Sequence, residues 1–185
     1  QGEEVELTAK PNTKIITPGN LTTLVRYDPE SGKIYWLPRS DDAAWTARFS
    51  GKEALTANNG NGYLNGSMYS RKYFAHRVAW AVYYGSWPAL HIDHVNGDKA
   101  DNRIANLREC SPKQNGGNSR PKGGSSSFKG VSWSQRRKRW IAEIWLDRKV
   151  KKNLGQFQDE KLAAKAYDDA ARSHFGRFAR LNLQN

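Results

Sequence analysis

A chain of 185 residues holds one large domain or two small ones, and its apolar fraction of 37% supports a core with little to spare. The net charge is +12, and its excess is concentrated: residues 120–185 carry 16 Lys or Arg against 6 Asp or Glu, residues 1–119 carry 14 against 12. So lopsided a distribution points to a polyanionic partner, nucleic acid ahead of an anionic membrane. The basic third is Trp-rich and strand-like rather than a basic amphipathic helix, and no long uncharged apolar run occurs, so a membrane partner is not expected. Gln1-Gly2-Glu3-Glu4 lacks the basic start and apolar stretch of a signal peptide, and an intracellular, non-secreted protein is expected. The single cysteine, Cys110, excludes an internal disulfide and a multi-cysteine zinc site; a small buried apolar role suits it.

In chain order, residues 1–23 show no period and read as a poorly ordered arm. A hairpin follows from Leu24 to Trp36, turning at Asp28-Pro29-Glu30-Ser31-Gly32. Asn59-Gly60, Asn61-Gly62 and Asn65-Gly66 mark turns around short strands. Residues 73–84 place Phe74, Val78 and Val82 four apart, which predicts a helix ended by Gly85-Ser86-Trp87-Pro88. Residues 116–127 have flexible-linker composition, and the expected divisions are a first domain over 24–118, a linker over 119–127 and a second domain over 128–185. That second domain reads as strands 128–134, 139–146 and 149–157, then a helix from about Glu160 to Phe175 capped by Asp159, its inner face made of Leu162, Ala163, Ala166, Tyr167 and Ala170.

The stretch Ile92-Asp93-His94-Val95-Asn96-Gly97-Asp98-Lys99-Ala100-Asp101-Asn102-Arg103 gathers acids, amides and a histidine in one polar loop, with Asn106 and Asn115 beyond it. Carboxylate and amide oxygens suit a hard divalent cation such as Mg²⁺, and an imidazole can deprotonate water near neutral pH. Together these residue types suit phosphodiester hydrolysis.

Asp93-His94, Val95-Asn96-Gly97-Asp98, Asn106-Leu107 and Ser111-Pro112-Lys113-Gln114-Asn115 match, in order and spacing, the blocks of the H-N-H nucleases, and the chain resembles the free-standing homing endonucleases of phages and introns. The resemblance implies a ββα-metal core at about 90–118 that clasps one divalent metal, Mg²⁺, Mn²⁺ or a similar ion. It implies His94 as general base, Asp93 and Asn115 as metal ligands, and Asn106 as the residue that pins the hairpin loop around His94. Ser111 suits the N-cap of the short helix, with Pro112 at its first position. His76-Arg77 resembles a segment found upstream in such proteins and reads as packing support; His91 is left structural.

Within 128–182, basic residues surround two turns and Trp133, Trp140 and Trp145 lie among them. Trp140, Ala142 and Ile144 alternate as a core face, with Arg139, Ile141, Glu143 and Trp145 opposite. Phe128-Lys129-Gly130-Val131, Arg139-Trp140, Ala142-Glu143-Ile144, Leu154-Gly155-Gln156-Phe157, the alanine-rich run from Ala163 to Ala171, and Phe175-Gly176 through Leu181-Asn182 resemble the plant ethylene-response-factor/APETALA DNA-binding domain. In that family a three-stranded sheet enters the major groove, which implies Lys129, Trp133, Arg136, Arg137, Arg139, Trp145 and Arg148 as contacts. Ser132 stands where the plant domains carry an arginine, so no base specificity carries over.

The expected class is therefore α+β: a ββα-metal nuclease domain joined by a flexible linker to a three-stranded antiparallel sheet packed on one helix. The expected activity is site-preferring cleavage of double-stranded DNA, leaving 5′-phosphate and 3′-hydroxyl ends, by a monomer rather than a homodimer and with no small-molecule substrate. A DNA-binding regulator with an inert H-N-H domain stands as the alternative. An RNA-binding regulator has the charge but lacks the glycine–aromatic signature of common RNA modules.

Overall fold

The computed structural model describes residues 16–121, 123–147 and 150–183. The chain divides into two compact units, Gln1–His94 with Asp98–Leu107, and Val95–Gly97 with Arg108–Asn185.

The first unit opens with a single helical turn, α1 (Pro18–Leu21), closed by a capping box between Thr17 and Asn20. Ile16 and Leu21 are buried in the unit's core, which corrects the expected arm over residues 16–23; residues 1–15 lie outside the described part. The predicted hairpin forms as β1 (Val25–Tyr27) and β2 (Ile34–Trp36), antiparallel with Tyr27 opposite Ile34. Gly32 closes its turn at φ +74°, and a Cβ there would lie 2.6 Å from the Asn102 carbonyl carbon. A short helix that sequence patterning did not reveal, α2 (Ala43–Phe49), starts at Asp42, whose carboxylate accepts from the Trp45 amide. It sets Trp45 edge-on to Trp36, ring centres 5.3 Å apart.

Three antiparallel strands follow, β3 (Ala57–Asn58), β4 (Leu64–Met68) and β5 (Arg71–Phe74), with β4 central. Asn65-Gly66, expected as a turn, lies inside β4. Gly66 is there because the Leu55 backbone passes close: a Cβ would come within 2.9 Å of the Leu55 Cα. The helix expected over 73–84 is α3 (Ala75–Tyr84). Tyr73 and Phe74 pair with Gly66 and Asn65 in the sheet, so Phe74 precedes the helix and is exposed. The buried face of α3 is Ala75, His76, Val78, Ala79 and Ala81. Next come β6 (His91–His94), a 3₁₀ turn at Ile104–Asn106, β7 (Leu107–Cys110) and α4 (Pro112–Gly117).

In the second unit, β8 (Val131–Ser134), β9 (Arg139–Trp145) and β10 (Lys151–Phe157) form an antiparallel sheet with β9 central, and α5 (Glu160–Phe175) packs on it. Asp159 caps α5 as expected, its carboxylate accepting from the Leu162 amide at 2.9 Å. The buried face of α5 is turned by about one residue from the expected one. Leu162 is 56% exposed, while Ala163, Ala164, Tyr167, Asp168, Ala171 and Phe175 are buried. The large rings of Tyr167 and Phe175 and the bound carboxylate of Asp168 decide that rotation.

The segment expected as a linker is bound into this unit. Ser125 Oγ accepts from the Trp133 amide at 2.7 Å, Ser126 Oγ donates to Glu160 Oε1 at 2.7 Å, and the Gly117 carbonyl accepts from the Arg180 amide at 3.1 Å. Cys110, buried as expected, sits in one cluster with Ile144, Tyr167 and Phe175. The second unit accordingly begins at Arg108, with Val95–Gly97 also in it, ahead of the linker expected over 119–127. Among the described residues, no helix is long and apolar enough to cross a membrane.

Candidate active site

Strand β6 presents its residues unevenly: His91 is exposed, whereas Asp93 is 6% and His94 3% exposed. A buried carboxylate beside a buried imidazole is costly unless both are held by polar neighbours. His94 Nε2 lies 3.1 Å from the side-chain oxygen of Asn102, itself 2% exposed.

Asn102 is fixed from behind. Its carbonyl accepts from the Tyr27 hydroxyl at 2.8 Å, and the Pro29 carbonyl accepts from the Ile104 amide at 3.2 Å. Gly32 lets the hairpin turn approach the 102–103 backbone at van der Waals range. The β1–β2 hairpin thus braces the loop that faces His94. Asn106 donates from Nδ2 to the Asp101 carbonyl at 2.7 Å. Arg103 grips the Asp101 carboxylate through Nε (2.8 Å) and Nη2 (2.6 Å).

Aromatic rings wall the imidazole. His76, at the start of α3, meets His94 edge to face at 5.3 Å, and Tyr63 lies 5.9 Å from His94 and 5.2 Å from His76. Lys99 donates to the Asn61 carbonyl and sits 4.7 Å over the Tyr63 ring. His76 packs on these rings, and its buried Nδ1 has no hydrogen-bond partner among the described residues. Arg77 donates to the carbonyls of Pro88 and Leu90, tying α3 to the chain entering β6.

Burial lowers the His94 pKa below the ordinary histidine value, opposed by the Asn102 hydrogen bond and the nearby carboxylates of Asp93, Asp101 and Asp98. Burial, with the neighbouring His94 and Arg77, drives His76 to about 3. In both rings burial favours the neutral form, the state in which an imidazole accepts a proton.

Asn115 lies on α4 in the second unit, half-buried; Ser111 caps that helix through a capping box with Gln114, and Pro112 takes the first turn as expected. Among the described residues, no group of three or more His, Cys, Asp and Glu side chains is gathered as a metal cluster. The donor set named from sequence is instead a carboxylate and an amide oxygen, which suits a hard divalent ion that keeps several waters.

In the basic sheet, Arg139, Ile141, Glu143 and Trp145 share the face away from α5 with their register partners Ser132, Ser134, Lys151, Asn153 and Gln156. Trp145 is 56% exposed there, and Lys151 pairs with Glu143 at 3.0 Å. Arg136 and Arg137 are exposed in the β8–β9 turn. Two expected contacts are placed otherwise. Trp133 lies on the helix side with Val131, half-buried and edge-on to Trp140 at 5.1 Å. Lys129 donates to the carbonyls of Gly116 (3.1 Å) and Gly117 (2.6 Å), and burial pulls its pKa down to about 8. Arg148 lies outside the described residues.

Sequence reasoning missed Asn102, Tyr63 and the closeness of His76 to His94. Asn102 stands in an Asx-rich loop where no spacing rule separates a working amide from a solvated one. Tyr63 is brought in by a sheet 31 residues upstream of His94.

Residues 73–116 match the family model of the HNH endonuclease, so the polar loop and α4 up to Gly116 fall inside the matched segment. Protein 3.8 of Escherichia phage T7 is 35% identical over 71 residues, covering 37% of this chain and 59% of that protein. The chain thus spans little more than half the length of this phage relative. No solved structure matches.

Proposed function

We propose that this chain is a site-preferring DNA endonuclease, of the homing type, that hydrolyses one phosphodiester bond at a time with His94 as general base. The observation that carries the reading is the buried Asp93-His94 pair, its imidazole held by Asn102, inside the segment that matches HNH endonucleases. In this reading Asp93 and Asn115 hold a divalent cation, Mg²⁺ or Mn²⁺. When bound, that ion supplies positive charge opposite the phosphate as the departing 3′ oxygen gains negative charge. The protein's own part is to keep water from the imidazole's far side, fix its orientation through Asn102, Tyr63 and His76, and take a proton from the attacking water. The ends left are a 5′-phosphate and a 3′-hydroxyl.

The partner in this reading is double-stranded DNA, bound by a monomer. The basic sheet, read as a domain of the ethylene-response-factor/APETALA type, offers Arg139 and Trp145 on its open face with Arg136 and Arg137 at its edge. Guanidinium groups there neutralise phosphates and reach base edges, and an exposed Trp packs on sugars or bases. Nicking of supercoiled plasmid by the purified chain with Mg²⁺ or Mn²⁺ tests the proposal: open circles are expected. Protein that binds DNA yet leaves the plasmid intact with every divalent ion and sequence tried would instead be a DNA-binding regulator.

A further inference from the structure

We propose that Asn102 is a positioning residue that sets the tautomer of His94: its amide oxygen keeps hydrogen on Nε2, so that Nδ1 is the atom that takes the proton from water. The inference rests on the reading of His94 as general base and names which nitrogen acts.

An amide oxygen offers lone pairs and no hydrogen, so the 3.1 Å approach of Asn102 Oδ1 to His94 Nε2 is a hydrogen bond only when Nε2 carries the proton. A neutral imidazole has one N–H, and fixing it at Nε2 leaves the lone pair on Nδ1. Both partners are almost fully buried, so bulk water competes poorly for either. The ring is not free to turn over and set its carbons where its nitrogens lie. Tyr63 and His76 pack on it, and a turned ring would set a carbon against the Asn102 oxygen.

The fold invests in the position of this amide. The Tyr27 hydroxyl holds the Asn102 carbonyl, the Gly32 turn abuts the Asn102–Arg103 peptide, and Asn106 ties down the Asp101 carbonyl one residue earlier. The order of action is therefore Asn106 on the loop, the loop on Asn102, and Asn102 on His94. The motif's asparagine, Asn106, acts on the loop backbone, and Asn102 is the side chain that reaches the ring.

Long-range ¹H–¹⁵N correlation spectra of the histidine-labelled 185-residue chain report the tautomer directly. The Nε2–H pattern is expected for His94 in the wild type and in Asn102→Asp, which keeps an acceptor oxygen. A mixed pattern is expected in Asn102→Leu, which removes it. In plasmid nicking, Asn102→Leu should lower kcat by about 10- to 100-fold, the usual range for a lost outer-shell partner, with KM little changed, and Asn102→Asp should recover part of the loss. An Nδ1–H pattern in an active wild type, or an unchanged pattern in a folded Asn102→Leu, overturns the assignment and leaves the nuclease reading standing. If Asn102→Leu fails to fold, the wild-type and Asn102→Asp spectra still decide. An Nε2–H pattern in a protein that never nicks DNA overturns the nuclease reading and the base role of Nδ1 with it, while the Asn102–His94 hydrogen bond stands.

Discussion

The two units bury polar residues for different ends. In the first, Asp93, His94, Asn102, Asn106 and His76 lie in the interior, and one of the ring nitrogens among them, His76 Nδ1, has no hydrogen-bond partner among the described residues. In the second, buried polar groups close the architecture. The Asp168 carboxylate accepts from the amides of Asn182 and Leu183, both at 2.8 Å, and the Asn182 side chain bonds both the amide and the carbonyl of Lys129. Fully satisfied groups of that kind rigidify a fold. Buried ionisable groups gathered at one point are instead the mark of a site where protons move. Exposed charge in the second unit includes Arg139 and Lys151 on the open sheet face and Arg136 and Arg137 in the β8–β9 turn.

Substitutions can break that contrast. The largest effect should come from His94→Ala, which is expected to lower plasmid nicking about a hundredfold or more, as for a lost general base, while DNA affinity in a gel-shift titration holds. Equal losses of binding and cleavage would make His94 a structural residue like those of the second unit. The mirror experiment is Asp168→Ala. It leaves two amides without their acceptor and should cost about 2–3 kcal/mol of stability in chemical denaturation, with the nicking rate of the remaining folded protein unchanged. Gly32→Ala joins the two cases. At φ +74° and pressed on the Asn102–Arg103 backbone, the added methyl group should cost about 1–3 kcal/mol and lower kcat as well, because the loop carrying Asn102 must shift. A loss of stability with kcat untouched would show that the hairpin does not brace the site.

Two smaller effects sharpen the comparison. His76 has a folded-state pKa of about 3, below its ordinary 6.5, so the unfolded chain takes up the proton first. Stability is then full above about pH 6.5 and is lost as pH falls from there toward 3. His76→Phe should flatten that acid-side decline in melting temperature, and an unaltered slope would place the acid sensitivity elsewhere. On the open face of the sheet, Arg139→Ala should weaken DNA binding severalfold and reduce its salt dependence by about one phosphate contact, with the melting temperature unchanged. Point substitution is the right tool here, because Cys110 packs in the same cluster as Tyr167 and Phe175 and truncation after residue 120 would strip that core.

Much of the local structure was legible in the chain itself. Caps at Ser111 and Asp159, the hairpin turn at Asp28–Gly32, and the alternation of Trp140, Ala142 and Ile144 are all short-range features, set by hydrogen bonds and side-chain periods within a few residues. What only the tertiary structure decided depends on neighbours far apart in sequence. Tyr27 and Gly32 brace Asn102 some 70 residues later, Tyr63 walls His94, and Tyr167 and Phe175 set which face of α5 turns inward. Ser125 and Ser126 look like linker because a serine that caps a strand and a serine in open solvent have the same composition. Sequence period reports which side of an element is apolar; which polar side chain meets which partner is settled only when packing excludes the water that would otherwise satisfy it.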